Sequence, residues 1–263
     1  MDLKQGIRRN FARRAGSYDR QAEVQRLMAR RLLGLLEEVL PRARRILEVG
    51  CGTGYLTARL RQANPQARLC SLDLDPALVA AARRRLGPDP GVAWLVADAE
   101  ALGAGSFDLI IGNAVFQWFR QADETLRLFQ RCLNPGGVLA FSTLGPRTFQ
   151  ELAGAMGQAA RALNVSSPPT IPAQGFLDQE AWSGLLGAAR FHKVRLLEET
   201  VTPHFPGVLT FLKALQATGA TNPEPRPFSP RLLQALIAAY QAGYGVNGSI
   251  PVTYELIWAV AEK

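Results

Sequence analysis

The chain has no apolar run long enough to cross a bilayer. Its longest, such as Val138 to Phe141 and Leu256 to Ala261, fall well short of the ~20 residues a spanning helix needs, so no transmembrane helix is expected. No apolar stretch follows Lys4, Arg8 and Arg9, so a secretory signal is not expected and a cytoplasmic location is. Cysteine is scarce: Cys51, Cys70 and Cys132 are odd in number and lack metal-ligand spacing, so they read as free thiols and no metal site is expected. Repeats and low-complexity tracts are missing, and no linker separates two halves. The 263 residues therefore read as one elaborated domain, and 48% hydrophobic with 20% charged residues suits a globular protein.

Negative charge is also in deficit, with 22 Asp and Glu against 30 Lys and Arg, a net charge of +8. Residues 1–45 alone hold twelve Lys or Arg and five Asp or Glu, an excess of seven. A basic surface of this kind attracts acidic partners by long-range steering. Nucleic acid, an acidic carrier protein or a phosphorylated small molecule would qualify, and so would plain solvent on a helix face.

What is present alternates between two periods. Residues 20–39 place Val24, Leu27, Met28, Leu32, Leu35, Leu36 and Val39 at helical spacing, within an N-terminal helical segment spanning 1–44. Strands are predicted at 45–49, 67–72, 92–96, 107–112 and 138–143, with helices at 55–63, 76–86 and 123–133 between them. Pro76 fits a first helical turn, and Asn134-Pro135-Gly136-Gly137 closes the third of these helices. Helices at 148–163 and 178–189, a sixth strand at 193–203 and a last one at 252–261 complete the pattern. The fold class is α/β, a doubly wound, mostly parallel, Rossmann-like sheet of seven strands. Its core spans 45–205 and 248–263, residues 1–44 are expected to cap it, and residues 206–247 form a helical lid insertion between the last two strands.

The chemistry sits at the carboxyl ends of the first strands. Glu48-Val49-Gly50-Cys51-Gly52-Thr53-Gly54 has the spacing E-x-G-x-G-x-G rather than the G-x-G-x-x-G of dinucleotide sites, which favours S-adenosylmethionine over NAD. Glycines there permit a tight turn and let a ligand lie against the backbone. Asp73, nineteen residues after Gly54, ends the second strand where a carboxylate can accept both ribose hydroxyl protons and would repel a phosphorylated ribose. Asp98 and Ala99 follow the third strand, where an acid can accept from an adenine amino group and the next amide can reach a ring nitrogen.

These segments, with residues 107–113 (Phe-Asp-Leu-Ile-Ile-Gly-Asn) and 133–137 (Leu-Asn-Pro-Gly-Gly), resemble the ordered motifs of class I methyltransferases over about residues 45–145. The resemblance implies a cofactor site made of Glu48, Gly50, Cys51, Gly52, Gly54, Asp73, Leu74, Asp98, Ala99 and Asn113. The flanks narrow it further. Phe11-Ala12-Arg13-Arg14-Ala15-Gly16-Ser17-Tyr18-Asp19 is similar to the F-x-R-x-A-x-x-Y-D signature of the malonyl-acyl-carrier-protein O-methyltransferase family of biotin synthesis. So are residues 113–118 (Asn-Ala-Val-Phe-Gln-Trp), 141–146 (Phe-Ser-Thr-Leu-Gly-Pro), 219–222 (Gly-Ala-Thr-Asn) and 251–255 (Pro-Val-Thr-Tyr-Glu). Ala12 departs from the family's usual Ser, and Arg147 falls where the family is variable.

That resemblance implies methyl transfer to the free carboxylate of a malonyl thioester, carried by acyl-carrier protein or coenzyme A. A carboxyl with a pKa of roughly 3 to 4 is already ionised at neutral pH, so no general base is required. Tyr18, Gln117 and Trp118 are the candidates for positioning it, with Gln117 offering two donors. Tyr18 is also expected to close over the cofactor, with Arg13 beside an acidic group. An acidic carrier protein is the expected partner, and neither nucleic acid nor membrane is. The alternatives are another small carboxylate or a quinone-like substrate, an NAD-dependent oxidoreductase disfavoured by the glycine spacing, and a basic RNA-binding or nucleic-acid-modifying protein. Asn113-Ala114-Val115-Phe116 lacks the Asn-Pro-Pro-aromatic run of many amino-group nucleic-acid methyltransferases.

Overall fold

The computed structural model describes residues 22–217 and 229–263. Arg8, Arg9, Arg13, Arg14, Tyr18 and the 219–222 motif lie outside the described residues. The described strands are β1 (Arg45–Val49), β2 (Arg68–Asp73), β3 (Val92–Val96), β4 (Phe107–Asn113), β5 (Leu133–Leu144), β6 (His192–Val201), β7 (His204–Phe205), β8 (Ile250–Pro251) and β9 (Tyr254–Glu262). The described helices are α1 (Glu23–Gly34), α2 (Tyr55–Ala63), α3 (Pro76–Leu86), α4 (Ala122–Cys132), α5 (Gln150–Ala162), α6 (Gln179–Ala188), α7 (Val208–Ala217) and α8 (Pro230–Tyr244). Among the described residues no helix is long and apolar enough to cross a membrane.

The described chain forms two compact units, one of residues 22–143, 177–198 and 257–263, the other of 144–176 and 199–256. The expected seven-stranded sheet is present, in the order β3-β2-β1-β4-β5-β9-β6. The pairs β1–β2, β2–β3, β1–β4 and β4–β5 are parallel. Winding runs one way from β1 through β2 to β3 and the other way through β4 to β5, so it reverses between β1 and β4. In an open parallel sheet a ligand crevice forms outside the carboxyl ends of the strands at such a reversal. Central parallel strands are covered on both faces, which explains why Ile46, Leu47 and Val49 are buried and makes the buried Glu48 conspicuous.

Three of the boundaries that differ from the sequence reading have a local cause. Instead of running to residue 39, α1 stops at Gly34, and Leu36 and Leu40 carry the buried stripe onward through turns and a short 3-10 segment containing Pro41. The strand expected at 138–143 begins at Leu133. Phe107 pairs with Leu133 but Leu109 with Val138, so the Asn-Pro-Gly-Gly turn is an irregularity inside β5, with Gly136 at φ 72°. The long strand expected at 193–203 breaks after Val201, because Pro203 cannot donate to a ladder, and β7 pairs with β8 instead.

Local chemistry sets the start of α3, where Pro76 lies in the first turn as expected. Asp75 caps the helix, its Oδ1 accepting from Ala77 N at 2.7 Å and Leu78 N at 3.3 Å. In the same unit, Trp258 Nε1 donates to Met28 O at 2.9 Å, and the Arg31 guanidinium lies 5.1 Å from the Trp258 ring. The second unit packs α5, α7 and α8 around Met156, Phe211, Leu236 and Tyr240. At Gly154 a Cβ would come within 2.2 Å of the Tyr244 hydroxyl, so a larger residue there would have to push that side chain aside. Two buried carboxylates are satisfied inside it: Glu151 accepts from the backbone and hydroxyl of Thr253, and Glu255 accepts from Arg147 N, Nε and Nη2.

Candidate functional site

Parallel register places the candidate residues along one edge of the sheet. Val49 is level with Leu72 and Gly112, Asp73 with Val96, and Asn113 with Ser142. The glycine turn leaves β1 at this edge and is tied to β2 beside it: Gly50 N and Cys51 N both donate to Leu72 O at 2.9 Å, and Gly52 N donates to Asp73 Oδ2 at 2.9 Å.

The three glycines differ in what they allow. Gly50, Gly52 and Gly54 all have positive φ, at 72°, 53° and 84°. At Gly50 a Cβ would lie 2.8 Å from Val115 Cγ2, and at Gly54 2.9 Å from the Ala82 backbone. Those two glycines permit protein to pack on protein. At Gly52 a Cβ would meet nothing within 4 Å among the described residues, so the turn presents bare backbone to open space there.

Glu48 lies beneath the turn, fully buried. Its Oε2 accepts from Thr57 Oγ1 at 2.7 Å and Ser71 Oγ at 2.6 Å, binding α2 and β2 to β1, while among the described residues Oε1 has no hydrogen-bond partner. Burial pushes its carboxyl up to about 7, against the pull of those two hydroxyls. Asp73 is pushed up to about 6 by burial, against amide bonds from Asp75 and Gly52. Cys51 is buried, and desolvation with the neighbouring carboxylates raises its thiol, which leaves it neutral and unreactive at ordinary pH.

Asp73 therefore has a task that the sequence reading did not include. Its Oδ1 accepts from Asp75 N at 3.0 Å and its Oδ2 from Gly52 N, so the same carboxylate holds the turn and keeps a second lone pair on each oxygen for a ligand. Leu74 follows it, half-buried. Asp98 caps a short 3-10 turn at Ala99–Ala101 through Glu100 N, at 3.0 Å, and Ala99 is buried behind it.

The exit of β4 forms the other wall. Asn113 Nδ2 donates to Gln25 O at 3.1 Å, and its Oδ1 accepts from Ser142 Oγ at 2.7 Å. Ala114 holds a left-handed φ of 53°, with its amide on Ser142 O at 2.9 Å. Phe116 then anchors a 3-10 turn, Phe116–Trp118, by stacking on Phe141 at 4.0 Å. Gln117 and Trp118 are half-buried on this turn. The two donors expected of Gln117 become one, because Nε2 already gives a hydrogen to Ala114 O at 2.9 Å; its Oε1 accepts from Thr143 Oγ1 at 3.0 Å. Sequence reasoning missed Thr57, Ser71, Ser142 and Thr143 as supports. Ser142 and Thr143 were visible only as part of a motif, since their roles depend on the register of β5.

A family profile described as a methyltransferase domain matches residues 47–139, which contain the glycine turn, Asp73, Asp98 and Gln117. The chain is 33% identical over 269 residues to a malonyl-acyl-carrier-protein O-methyltransferase from Halalkalibacterium halodurans, covering 98% of both chains. It is 35% identical over 258 residues to a protein of the same name from Anoxybacillus flavithermus, covering 97% of this chain and 96% of that one. Its fold is similar to that of the N-methyltransferase NodS from Bradyrhizobium japonicum, solved with S-adenosylhomocysteine, with a TM-score of 0.52, 16% identity and 98% of each chain covered.

Proposed function

The chain belongs to the malonyl-acyl-carrier-protein O-methyltransferase family, and on that premise we propose that it methylates the free carboxylate of a malonyl thioester, giving the methyl ester. The observation that carries this reading is that the likeness runs over nearly the whole chain, well beyond residues 47–139 that match the methyltransferase-domain profile. The residues fit S-adenosylmethionine: the turn offers open backbone at Gly52, Asp73 keeps acceptors for a ribose diol, and Glu48 Oε1 is an unsatisfied buried acceptor. When bound, S-adenosylmethionine supplies an electrophilic methyl group.

The protein's own part is then alignment. The substrate carboxylate is ionised at neutral pH, so no side chain needs to remove a proton, and orientation of this kind is worth on the order of 7 to 11 kcal/mol. We assign Gln117 as the donor to that carboxylate, with Trp118 beside it and with Tyr18 and Arg13 closing from the N-terminal segment. The glycine turn, Leu74, Asp98, Ala99 and Asn113 keep their cofactor assignment. Residues 206–247 are assigned, together with the N-terminal segment, as the lid over the substrate, because both are additions to the core sheet and ligands in such sheets lie outside the carboxyl strand ends, where additions can cover them. A cytoplasmic setting suits three unpaired thiols. The test is direct: incubation with S-adenosylmethionine and malonyl thioesters on carrier protein or coenzyme A should add the mass of one methylene to the malonyl group. A methylated RNA and an unchanged thioester would overturn the reading.

The thioester's carrier is assigned as an acidic protein, since residues 1–45 hold an excess of seven positive charges. Replacing Arg8, Arg9 and Arg14 together with Gln should raise KM for carrier-bound malonate severalfold at low salt, leave S-adenosylmethionine affinity within about twofold, and converge on wild type at high salt. Equal KM values at both salt concentrations would withdraw the docking role.

A further inference from the structure

Thr143 is fully buried at the end of β5, next to Ser142, which is buried as well. Both are tied by hydrogen bonds to the segment that leaves β4. Ser142 fixes its backbone, with Oγ donating to Asn113 Oδ1 at 2.7 Å and accepting from Ala114 N at 3.2 Å. Thr143 fixes a side chain, its Oγ1 donating to Gln117 Oε1 at 3.0 Å. The left-handed conformation of Ala114 turns its carbonyl to accept from Gln117 Nε2 at 2.9 Å. A residue with a Cβ adopts that conformation only where its surroundings over-determine it, and here two bonds from Ser142 and one from Gln117 do so.

From this we infer that Thr143 is a positioning residue for methyl transfer: by occupying Gln117 Oε1 it presents the one unused Nε2 hydrogen, a donor and not an acceptor, to the anionic oxygen of the substrate. Rotating the carboxamide by half a turn would set Oε1 against Ala114 O, two acceptors facing each other, so the amide has one stable orientation. The donor is thereby arranged before substrate arrives, and little reorganisation remains when the carboxylate must be aligned. The inference rests on the reading of Gln117 as the carboxylate donor.

The experiment is a mutant cycle between Gln117 and Thr143. Thr143→Val keeps the shape and removes the hydroxyl; turnover of malonyl thioester should fall about tenfold, with KM and calorimetric S-adenosylhomocysteine affinity within about twofold of wild type. Thr143→Ser restores the hydroxyl and should recover at least a third of the turnover. In a Gln117→Ala background Thr143→Val should have no further effect, because the group it positions is gone. If Gln117→Ala alone leaves turnover intact, the assignment of Gln117 fails and this inference with it. If Gln117→Ala is impaired while Thr143→Val is fully active, or the two losses multiply, only the role of Thr143 is overturned. Should Thr143→Val not fold, a folded Thr143→Ser variant that is impaired more than tenfold overturns it equally.

Discussion

Gly52→Val should yield a folded protein that no longer binds S-adenosylmethionine or S-adenosylhomocysteine, with affinity reduced more than about a hundredfold. The open space around Gly52 is the reason: among the described residues a Cβ there meets no atom within 4 Å, so the added branches project where a ligand would approach the backbone. The cost to the protein is backbone strain, since an L-residue at φ 53° gives up roughly 1 to 2 kcal/mol, which lowers the melting temperature by a few degrees without unfolding the chain. Gly54→Ala is the contrasting case. Its Cβ would come within 2.9 Å of the Ala82 backbone, which cannot move away as a side-chain tip can, so α2 and α3 must separate and stability should fall more than in Gly52→Val. Calorimetry with S-adenosylhomocysteine and thermal melts of the two variants decide the matter. A Gly52→Val protein that binds the ligand normally would remove the glycine turn from the site.

That contrast also marks the limit of what could be read from the sequence. The turn Glu48 to Gly54 was legible because its signal is local: three glycines at fixed spacing between an apolar run and a helix need no tertiary information. That only the middle glycine faces open space was not legible, since Val115 and Ala82 come from later elements. The same division holds for the acids. Asp73 could be placed at a strand end from periodicity, and its bond to Asp75 N is local, but its bond to Gly52 N depends on how β1 and β2 are aligned.

The β4 exit shows the division most sharply. Asn113 and Gln117 stood out by motif, yet nothing in the side chain of Ala114 announces a left-handed backbone, because glycine or asparagine is the usual sign of one. Ser142 and Thr143 hold that segment in place from a strand some thirty residues on, across a register interrupted by the irregularity at Asn134–Gly137. A period-two pattern finds a strand but not its register, so the supports of the site were invisible where the site itself was not.

Asp73→Asn should lower S-adenosylhomocysteine affinity at pH 7.5 by about a hundredfold and abolish part of its pH dependence. The carboxylate acts twice, accepting Gly52 N and Asp75 N within the protein and, in the proposed complex, two ribose hydroxyls. An asparagine has one oxygen, so one of the two amides must face an NH2 group, and the charge that strengthened all four bonds is lost; hydrogen bonds to a charged group contribute about 1.5 to 3 kcal/mol, roughly ten- to a hundredfold in affinity. The pH dependence follows from burial, which pushes Asp73 up to about 6 in the free protein. Only the ionised form accepts both hydroxyls, so wild-type affinity should be level above pH 7 and weaken by up to about tenfold per unit as pH falls below 6. Stability without ligand moves the other way. A carboxyl raised in the folded state binds protons more readily there than in the unfolded chain, so its contribution is fully present at low pH and is lost as pH rises from about 4 to 6. The rise in melting temperature caused by ligand should therefore be larger at pH 7.5 than at pH 5. Glu48, raised to about 7 by burial with a smaller push from Asp73, remains in the variant and loses that push, so its own titration should shift downward instead of disappearing. Affinity within twofold of wild type at pH 7.5 would mean that the carboxylate holds the turn and nothing more, and the ribose would have to be assigned elsewhere along the sheet edge.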